Sequence, residues 1–215
     1  MTTILPATSP SAIRLARRLL REGELVAFPT DTVYGIGANA FERYAVREIF
    51  AIKGRSADKA LPVFIYQIDD LNLIARDIPN QAWPFLHRFW PGALTVVLGK
   101  NSALPAEVTA GRDSVAVRIP DHVVCLELVI QVGRPLAVTS ANLSGQPTPT
   151  TAQGVAAQLG DRISLILDSG PSPCTQPSTI VDLSVKPPRL LRQGALDKSA
   201  LRAYLPDLIE DDHRS

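Results

Sequence analysis

Two short polar segments contain the side chains of this sequence that are best suited to bind an anion. SANLSG (residues 140–145) places hydroxyl and amide side chains beside a glycine, directly after an apolar strand, and KGR (residues 53–55) supplies two cations. Hydroxyls, amides and exposed backbone N–H groups can converge on an anion in such a loop. Lys binds phosphate oxygens as a point charge and Arg as a planar fork. Together the segments predict a polyphosphate site and favour nucleotide chemistry.

Each segment also has a purely structural explanation. Helices commonly end in Lys or Arg, whose charge complements the helix dipole, and this alone would account for Lys53 and Arg55. An Asx or Ser turn leading into a helix would explain Asn142 and Gly145. Such a turn does not explain the preceding Thr139-Ser140 pair as simply as anion binding does, so the anion-binding interpretation is preferred for that loop.

A second group of polar residues follows a short buried strand near Phe28. PTDTVYGIG (residues 29–37) contains two hydroxyls, a carboxylate and an aromatic ring within a few positions, which suits a site for a polar small molecule. The alternative is a turn in which Thr and Asp accept from backbone donors and the glycines adopt positive φ. From this segment alone the two interpretations are equally weighted.

Three further positions are candidates for the same site. Period-two alternation in VAVRIP (residues 115–120) puts Arg118 on the same face as Ala116, facing either a cavity or solvent. Ser178 opens a later strand, and Arg192 closes the one after it. Lys59 could add a charge to that of Arg55 or simply face solvent.

Helical and strand patterns are interleaved along the chain, which predicts an α/β domain built around a twisted mixed sheet. The capped, amphipathic first helix lies between Ser9 and Gly23, and residues 169–177 form a Pro- and Ser-rich loop that is either a surface linker or a lid. Further helices are predicted over residues 43–52, 69–75, 81–89, 122–131, 152–159 and 198–204. Strands are predicted over residues 25–28, 61–66, 94–98, 114–119, 136–138 and 179–183 and near Leu165.

Composition indicates a folded chain without a strong charge bias. The sequence has 215 residues, 46% of them hydrophobic, and a formal net charge of +1. Cys125 and Cys174 are too few for a disulfide scaffold, which favours a reducing cytoplasm. The N-terminal residues lack a signal-peptide pattern, and no apolar run approaches membrane-spanning length, so no membrane contact is expected.

Familiar catalytic patterns are absent from the sequence. His87, His122 and His213 are scattered, and there is no catalytic triad, zinc pattern, Walker loop or GxGxxG. A nucleotide reaction would therefore depend on positioning and charge stabilisation rather than on a dedicated nucleophile.

The segments PTDTVYGIG, IKGR, WPGALTVVL, DSVAVRIPDH, TSANLSG and STIVDL, in this order, resemble the YrdC/TsaC family of threonylcarbamoyl-AMP synthases over residues 9–195. The resemblance implies condensation of L-threonine, bicarbonate and ATP to threonylcarbamoyl-AMP and pyrophosphate, with Mg²⁺ accompanying the ATP. The product would reach a tRNA-modifying threonylcarbamoyl transferase. It also implies a YrdC-like single domain over residues 1–215 with a central cavity, its core at 9–195 and a helix and tail at 196–215.

The resemblance also implies roles for individual residues. Lys53 and Arg55 would stabilise charge on the phosphates as the catalytic pair, and no Asp cluster identifies metal ligands. The nucleotide would be bound by Lys53, Arg55, Lys59, Ser114, Ser140, Asn142, Thr148 and Arg192. Threonine would be bound by Thr32, Arg118, Thr139 and Ser178.

The chain departs from the family pattern at a few positions. Ser56 replaces a common proline, Lys59-Ala60-Leu61 replaces Asn-Pro-Leu, and Phe64 stands where a histidine is often found. A YciO-like paralogue is one alternative, although the KxR and SAN signatures are both intact. A non-catalytic RNA-binding module is another, and weak RNA binding could also accompany catalysis. It is suggested by the helical spacing of Arg14, Arg17, Arg18 and Arg21, a row that more often forms a solvated helix face.

Overall fold

A single twisted sheet organises the computed structural model, which describes residues 2–173 and 176–210. Its strands are β1 (Thr3–Pro6), β2 (Val26–Phe28), β3 (Gly35–Asn39), β4 (Val63–Phe64), β5 (Ala75–Arg76), β6 (Leu94–Lys100), β7 (Ser114–Arg118), β8 (Leu136–Ser140), β9 (Leu165–Asp168), β10 (Thr179–Asp182), β11 (Arg189–Arg192) and β12 (Ile209–Glu210). Its helices are α1 (Pro10–Arg21), α2 (Arg43–Lys53), α3 (Leu71–Ile74), α4 (Ala82–Phe89), α5 (Ala106–Thr109), α6 (Val123–Val132), α7 (Ala152–Leu159) and α8 (Lys198–Arg202). A 3₁₀ turn, Ile68–Asp70, precedes α3.

The strand order brings distant parts of the chain together. Along the sheet it is β1-β9-β2-β3-β8-β4-β7-β6-β10-β11-β12, and β5 pairs with the far end of β6. The sheet contains both parallel and antiparallel pairs: β9 is parallel to β1 and β2, whereas β8 is antiparallel to β3 and β4. The predicted mixed sheet is therefore confirmed.

Each face of the sheet packs against its own hydrophobic cluster, because side chains alternate along the strands. On one face, Val26, Phe28, Val138 and Leu165 pack with the apolar residues of α1 and α6. The opposite face, with residues such as Ala27, Ile36 and Val117, packs with the remaining helices. Helices α1 and α6 cover only part of the first face, and the uncovered strands form the wall of a cavity.

The ends of the helices next to the cavity follow from local sequence. Pro10 occupies the first turn of α1, where its missing N–H removes no helical hydrogen bond. Gly54 ends α2 in the left-handed conformation at φ 59°, so the chain turns sharply between Lys53 and Arg55. The side chain of Thr151 caps α7 by accepting from the N–H of Gly154.

Most predicted elements are present, with short extensions or contractions at their ends. No strand is predicted within the polar segment 29–37, but Gly35–Asn39 form β3 between β2 and β8. The predicted helix over residues 69–75 is a 3₁₀ turn, a single turn of α3 and the start of β5. The short elements β1, α5, β5 and β12 were not predicted. Within the described residues, no helix is long and apolar enough to cross a bilayer.

The glycines of β3 are required by close packing rather than by positive φ. A Cβ at Gly35 would lie 2.9 Å from Cγ1 of Val138, and one at Gly37 would lie 2.9 Å from Cε1 of Phe28. Both residues are fully buried in the strand. The alternative interpretation of these glycines as left-handed turn residues is therefore wrong.

Gly37→Ala should lower the free energy of unfolding by about 1–3 kcal/mol, because the new methyl group overpacks against the Phe28 ring. Chemical denaturation of the single variants and of the double variant with Phe28→Leu would measure this. The smaller side chain should relieve part of the clash, so the double variant should lose less stability than the sum of the two single losses. Strict additivity would show that this contact does not explain the glycine.

Candidate active site

The cavity occupies about 740 Å³ on the sheet face that α1 and α6 leave uncovered. Its wall follows the two-residue period of the strands, with Thr95 and Val97 from β6 and Ser114, Ala116 and Arg118 from β7. Loops after β2, α2, β8 and before β10 complete its rim. A space of this size suits a small-molecule ligand.

One end of the cavity carries three cations, with the exposed carboxylate of Asp58 near them. Arg55, Lys59 and Arg112 all line it, and no ion pair among the described residues includes any of them. Arg55 donates from Nη2 to the carbonyl oxygen of Ala60 at 3.2 Å, while its buried Nε has no partner. Burial lowers the pKa of Arg55 from its usual value. Cations in such an arrangement can bind an anion.

Lys53 lies behind the cavity wall rather than in it. The residue is only 2% exposed and is not among those that line the cavity. Its ammonium donates to the carbonyl oxygens of Ser140 and Asn142, and Oδ1 of Asn142 lies at 3.5 Å. Burial first, and then the neighbouring Arg55 guanidinium, lower the pKa of Lys53 to about 8. Lys53 thus ties the C-terminal end of α2 to the loop after β8.

The backbone N–H groups of that loop are occupied within the protein. Ala141 N–H donates to Tyr34 O at 2.8 Å, Asn142 N–H to Ser140 O at 3.0 Å, and Ser144 N–H to Lys53 O at 2.9 Å. The amide side chain of Asn142 donates to the carbonyls of Leu143 and Gln146. The expected convergence of N–H groups on an anion is therefore wrong for residues 141–144. Instead, the Lys53 ammonium and these bonds fix the loop so that Ser140 lines the cavity.

The other end of the cavity is organised by Arg118, which is 3% exposed. Its Nε donates to Gly92 O at 2.9 Å, its Nη1 to Thr32 Oγ1 at 3.1 Å, and its Nη2 to Asp31 Oδ2 at 2.7 Å. The guanidinium lies 5.7 Å from the centroid of the Phe64 ring. Because Asp31 balances its charge, this end differs in electrostatics from the end that holds Arg55.

Hydroxyl groups surround this neutralised arginine. Thr30 Oγ1 lies 3.1 Å from Thr32 Oγ1 and also accepts from the backbone N–H groups of Thr32 and Val33. Segment 29–37 therefore contains both the predicted turn and a cavity-facing hydroxyl, that of Thr32. Ser178 Oγ lies 2.8 Å from Thr95 Oγ1. Arg192 donates from Nε and Nη2 to the Ser178 carbonyl, so it helps to hold this part of the rim.

The structure brings most of the predicted site residues into one cavity wall. Those that line it are Thr32, Arg55, Lys59, Ser114, Arg118, Thr139, Ser140, Thr148, Ser178 and Arg192. Lys53 and Asn142 lie immediately behind the wall. Cys174, His213 and part of the predicted 169–177 loop lie outside the described residues.

Sequence reasoning missed four residues of functional interest: Asp31 as the partner of Arg118, and Thr95, Arg112 and Asp182 in the wall. Thr95 and Asp182 interrupt apolar strands, a signal that was available in the sequence. Asp182 also accepts from Ser184. Among the described residues, no group of three or more His, Cys, Asp or Glu side chains could hold a metal ion.

The fold and site define an α/β protein in which a curved mixed sheet encloses a cationic, hydroxyl-lined cavity. The profile of the Sua5/YciO/YrdC family, described as "Telomere recombination", matches residues 18–194. The chain belongs to this family.

Curated relatives are similar to most of the chain. The threonylcarbamoyl-AMP synthase of Pyrococcus abyssi is 47% identical over 196 residues, which cover 91% of this chain and 58% of the relative. That of Bacillus subtilis is 45% identical over 200 residues, with 93% and 58% covered. The chain therefore spans less than two thirds of the length of these relatives.

Solved structures support the same assignment. The crystal structure of P. abyssi Sua5 complexed with L-threonine superposes with a TM-score of 0.95 at 42% identity, covering 98% of this chain and 63% of that one. Escherichia coli YciO superposes with a TM-score of 0.83 at 22% identity, covering 92% and 98%, which shows a shared fold.

The buried ammonium of Lys53 should make stability depend on pH. Its folded pKa of about 8 lies below the ordinary value of 10.5, so its contribution is complete above pH 10.5 and is lost as the pH falls through about 8. Over this window the unfolding free energy of the wild type should rise relative to Lys53→Met by about 3 kcal/mol at most. Denaturation of both proteins at several pH values measures it, and parallel curves would contradict it.

Proposed function

We propose that this chain is an L-threonylcarbamoyladenylate synthase, a nucleotidyltransferase that condenses L-threonine, bicarbonate and ATP to threonylcarbamoyl-AMP and pyrophosphate for tRNA threonylcarbamoyladenosine modification. One observation carries the proposal. A single cavity has an excess of cations at one end and a charge-neutralised arginine among hydroxyls at the other. These ends suit a polyphosphate and a small zwitterion respectively, and curated relatives that are 47% and 45% identical to this chain are named threonylcarbamoyl-AMP synthase.

At the cationic end, Arg55 and Lys59 bind the phosphates of ATP and stabilise the charge that develops as pyrophosphate leaves. The unpartnered Nε of Arg55 supports this role, because a buried donor without an acceptor is costly until a ligand supplies one. Ser140 adds a hydroxyl at the same wall, and Ser114, Thr148 and Arg192 contact the nucleoside and its phosphates from the rim. Lys53 and Asn142 act from behind by fixing the loop that carries Ser140.

At the other end, Arg118 binds the carboxylate of threonine. Three of the five N–H donors of its guanidinium are used within the protein, one on each nitrogen. Both terminal nitrogens therefore keep a second hydrogen for a carboxylate. Thr32, Thr139 and Ser178 also line the cavity and offer hydroxyls to the ligand. A pocket of this kind prefers threonine over serine by only about 1–3 kcal/mol, since the two differ by one methyl group.

The reaction follows from holding the two substrates end to end. The amine of threonine attacks bicarbonate and forms a carbamate with loss of water. An oxygen of the carbamate then attacks the α-phosphorus of ATP, and pyrophosphate leaves with the electrons of the broken P–O bond. No residue needs to form a covalent intermediate, so the protein contributes alignment and positive charge.

Mg²⁺ enters as part of the ATP substrate. Mg²⁺ usually keeps several waters and binds through substrate phosphates with one or two carboxylates. The described wall offers one carboxylate, Asp182, which already accepts from Ser184. The residues present thus fit a metal carried on the phosphates, where it would neutralise charge on the leaving pyrophosphate.

We also propose a single domain, a cytoplasmic location and transfer of the product to a partner enzyme. The continuous sheet from β1 to β12 supports one YrdC-like domain. The buried, unpaired Cys125 fits a reducing cytoplasm. The product, a reactive mixed anhydride, would be passed to a tRNA-modifying threonylcarbamoyl transferase.

Pyrophosphate release from ATP and Mg²⁺ should require both L-threonine and bicarbonate, and product mass should equal that of threonylcarbamoyl-adenylate. Arg55→Ala should reduce the rate at least about 100-fold, because it removes a charge that acts on the leaving phosphates. Arg88→Ala is the matched control, since Arg88 is exposed on α4 and outside the cavity. A folded protein that binds ATP but forms no such product would favour a YciO-like paralogue of different substrate.

RNA binding is a second candidate, favoured by the outer face of α1. Arg14, Arg17 and Arg18 are exposed, and nothing within residues 2–173 and 176–210 forms a hydrogen bond or ion pair with their side chains. Arg21 donates to the carbonyl of Val132. An uncompensated cationic row of this kind can bind a polyanionic backbone weakly.

If this surface binds RNA, Arg17→Ala combined with Arg18→Ala should weaken binding of a tRNA transcript and lower the slope of log affinity against log salt by about 1 to 2. The variant should keep its rate of pyrophosphate release, because no residue of α1 lines the cavity. Fluorescence anisotropy across a salt series measures both quantities. An unchanged slope would indicate an ordinary solvated helix face.

A further inference from the structure

Arg112 is a cation of the cavity wall to which the proposed mechanism gives no role. We infer that Arg112 binds the terminal phosphates of the nucleotide and makes the site selective for a triphosphate over a monophosphate. The inference rests on the proposed function, because it deepens the description of the nucleotide end of the cavity.

The backbone of Arg112 is held firmly even though its side chain is exposed. It lies in the turn between α5 and β7, where its N–H donates to Thr109 O at 3.1 Å. In return, the hydroxyl of the fully buried Thr109 donates to Arg112 O at 3.0 Å. The guanidinium therefore projects from a fixed base at the rim.

Two arginines approach the turn that contains Lys59. Arg112 Nη2 donates to Asp58 O at 2.9 Å, and Arg55 Nη2 donates to Ala60 O at 3.2 Å. These carbonyls belong to the residues on either side of Lys59. The three cations are thereby gathered around one short turn, with Arg55 half-buried and Lys59 and Arg112 exposed.

The charges around this turn are not balanced by carboxylates in the cavity. Asp58 is exposed, does not line the cavity, and owes its lowered pKa first to a hydrogen bond from Ser56. The charges of Lys59 and Arg112 also lower the pKa of Asp58, and its carboxylate in turn acts on Arg55. Asp182, the acid among the described lining residues, belongs to β10. Three cations face the exposed carboxylate of Asp58, so the turn keeps an excess of positive charge that favours a ligand with several negative charges.

Arg55 and Arg112 differ in burial, and this difference suits them to different phosphates. Arg55 is half-buried next to Lys53, which holds the Ser140 loop, so it suits the α-phosphate and the bond to the leaving pyrophosphate. Arg112 is at the exposed rim, which suits the β- and γ-phosphates that depart as pyrophosphate. The planar guanidinium of Arg112 can donate two parallel hydrogen bonds to phosphate oxygens, whereas the ammonium of a Lys acts as a point charge.

A purely structural role is the competing explanation, because the bond from Arg112 to Asp58 O also links two loops. Loss of such a link would disturb every ligand of the cavity. Loss of a phosphate contact would affect only ligands that have terminal phosphates. Comparing ligands of different length therefore distinguishes the two roles.

The test is calorimetric titration of wild type, Arg112→Gln and Arg112→Lys with ATP, AMP and inorganic pyrophosphate, with Arg88→Gln as the remote control. For Arg112→Gln, affinities for ATP and pyrophosphate should fall about 10-fold, while that for AMP changes less than about twofold, since a hydrogen bond to a charged group is lost. Arg112→Lys should be intermediate. Thermal unfolding midpoints confirm that the variants are folded.

Equal losses for ATP and AMP, or no loss for ATP and pyrophosphate, would overturn the assignment. The pyrophosphate arm separates it from the proposed function. Pyrophosphate binding that depends on Arg112, in a protein that forms no threonylcarbamoyl-adenylate, would refute the synthase activity and leave the role of Arg112 standing. Product formation by a protein whose ATP affinity does not depend on Arg112 would support the synthase activity and refute the role of Arg112.

Discussion

A buried ammonium group, that of Lys53, fixes the loop that places Ser140 in the cavity wall. Lys53 contacts the carbonyl oxygens of Ser140 and Asn142 from a position that is almost fully removed from water. An ammonium without partners in such a place would be very costly, so the loop must follow the one path that presents its carbonyls to the charge. The same path uses the loop's N–H groups elsewhere and places Ser140 at the wall. The position of the site therefore depends on charge burial at the end of α2.

The cavity itself results from incomplete coverage of a sheet face. Helices α1 and α6 pack over the part near β2 and β9, and Phe64 and Val138 belong both to that cluster and to the cavity wall. Beyond them the same face carries Arg118, Thr95 and Ser114 instead of apolar residues. A change in side-chain polarity along one face thus divides core from site. Within the site, the carboxylate of Asp31 neutralises Arg118 at one end of the cavity, whereas the other end remains cationic.

Local patterns predicted the fold class and most elements because helical and strand periods are properties of short segments. Local polar patterns also indicated eight of the residues that line the cavity, whereas Ser114 and Thr148 were implied only by the resemblance to the YrdC/TsaC family. The position of Lys53 behind the wall could not be predicted, because it depends on a contact with a loop far along the chain. The pairing of Asp31 with Arg118 and the approach of Arg112 to Asp58 are likewise tertiary contacts. β3 was missed because its glycines indicate a turn, and only their packing against Phe28 and Val138 explains them.

The parallel pairing of β6 with β10 has a consequence for the order of folding. Thr95 and Val97 of β6 stand in the wall beside Ile180 and Asp182 of β10, yet the two strands are separated by most of the second half of the chain. During synthesis β6 emerges long before its neighbour, while β5 covers only its far end at Gly99 and Lys100. Closing so long a loop is slow, and the open edge can meanwhile pair with another chain. The cavity wall therefore cannot be complete before β10 has been synthesised, and until then the edge of β6 is open to other chains.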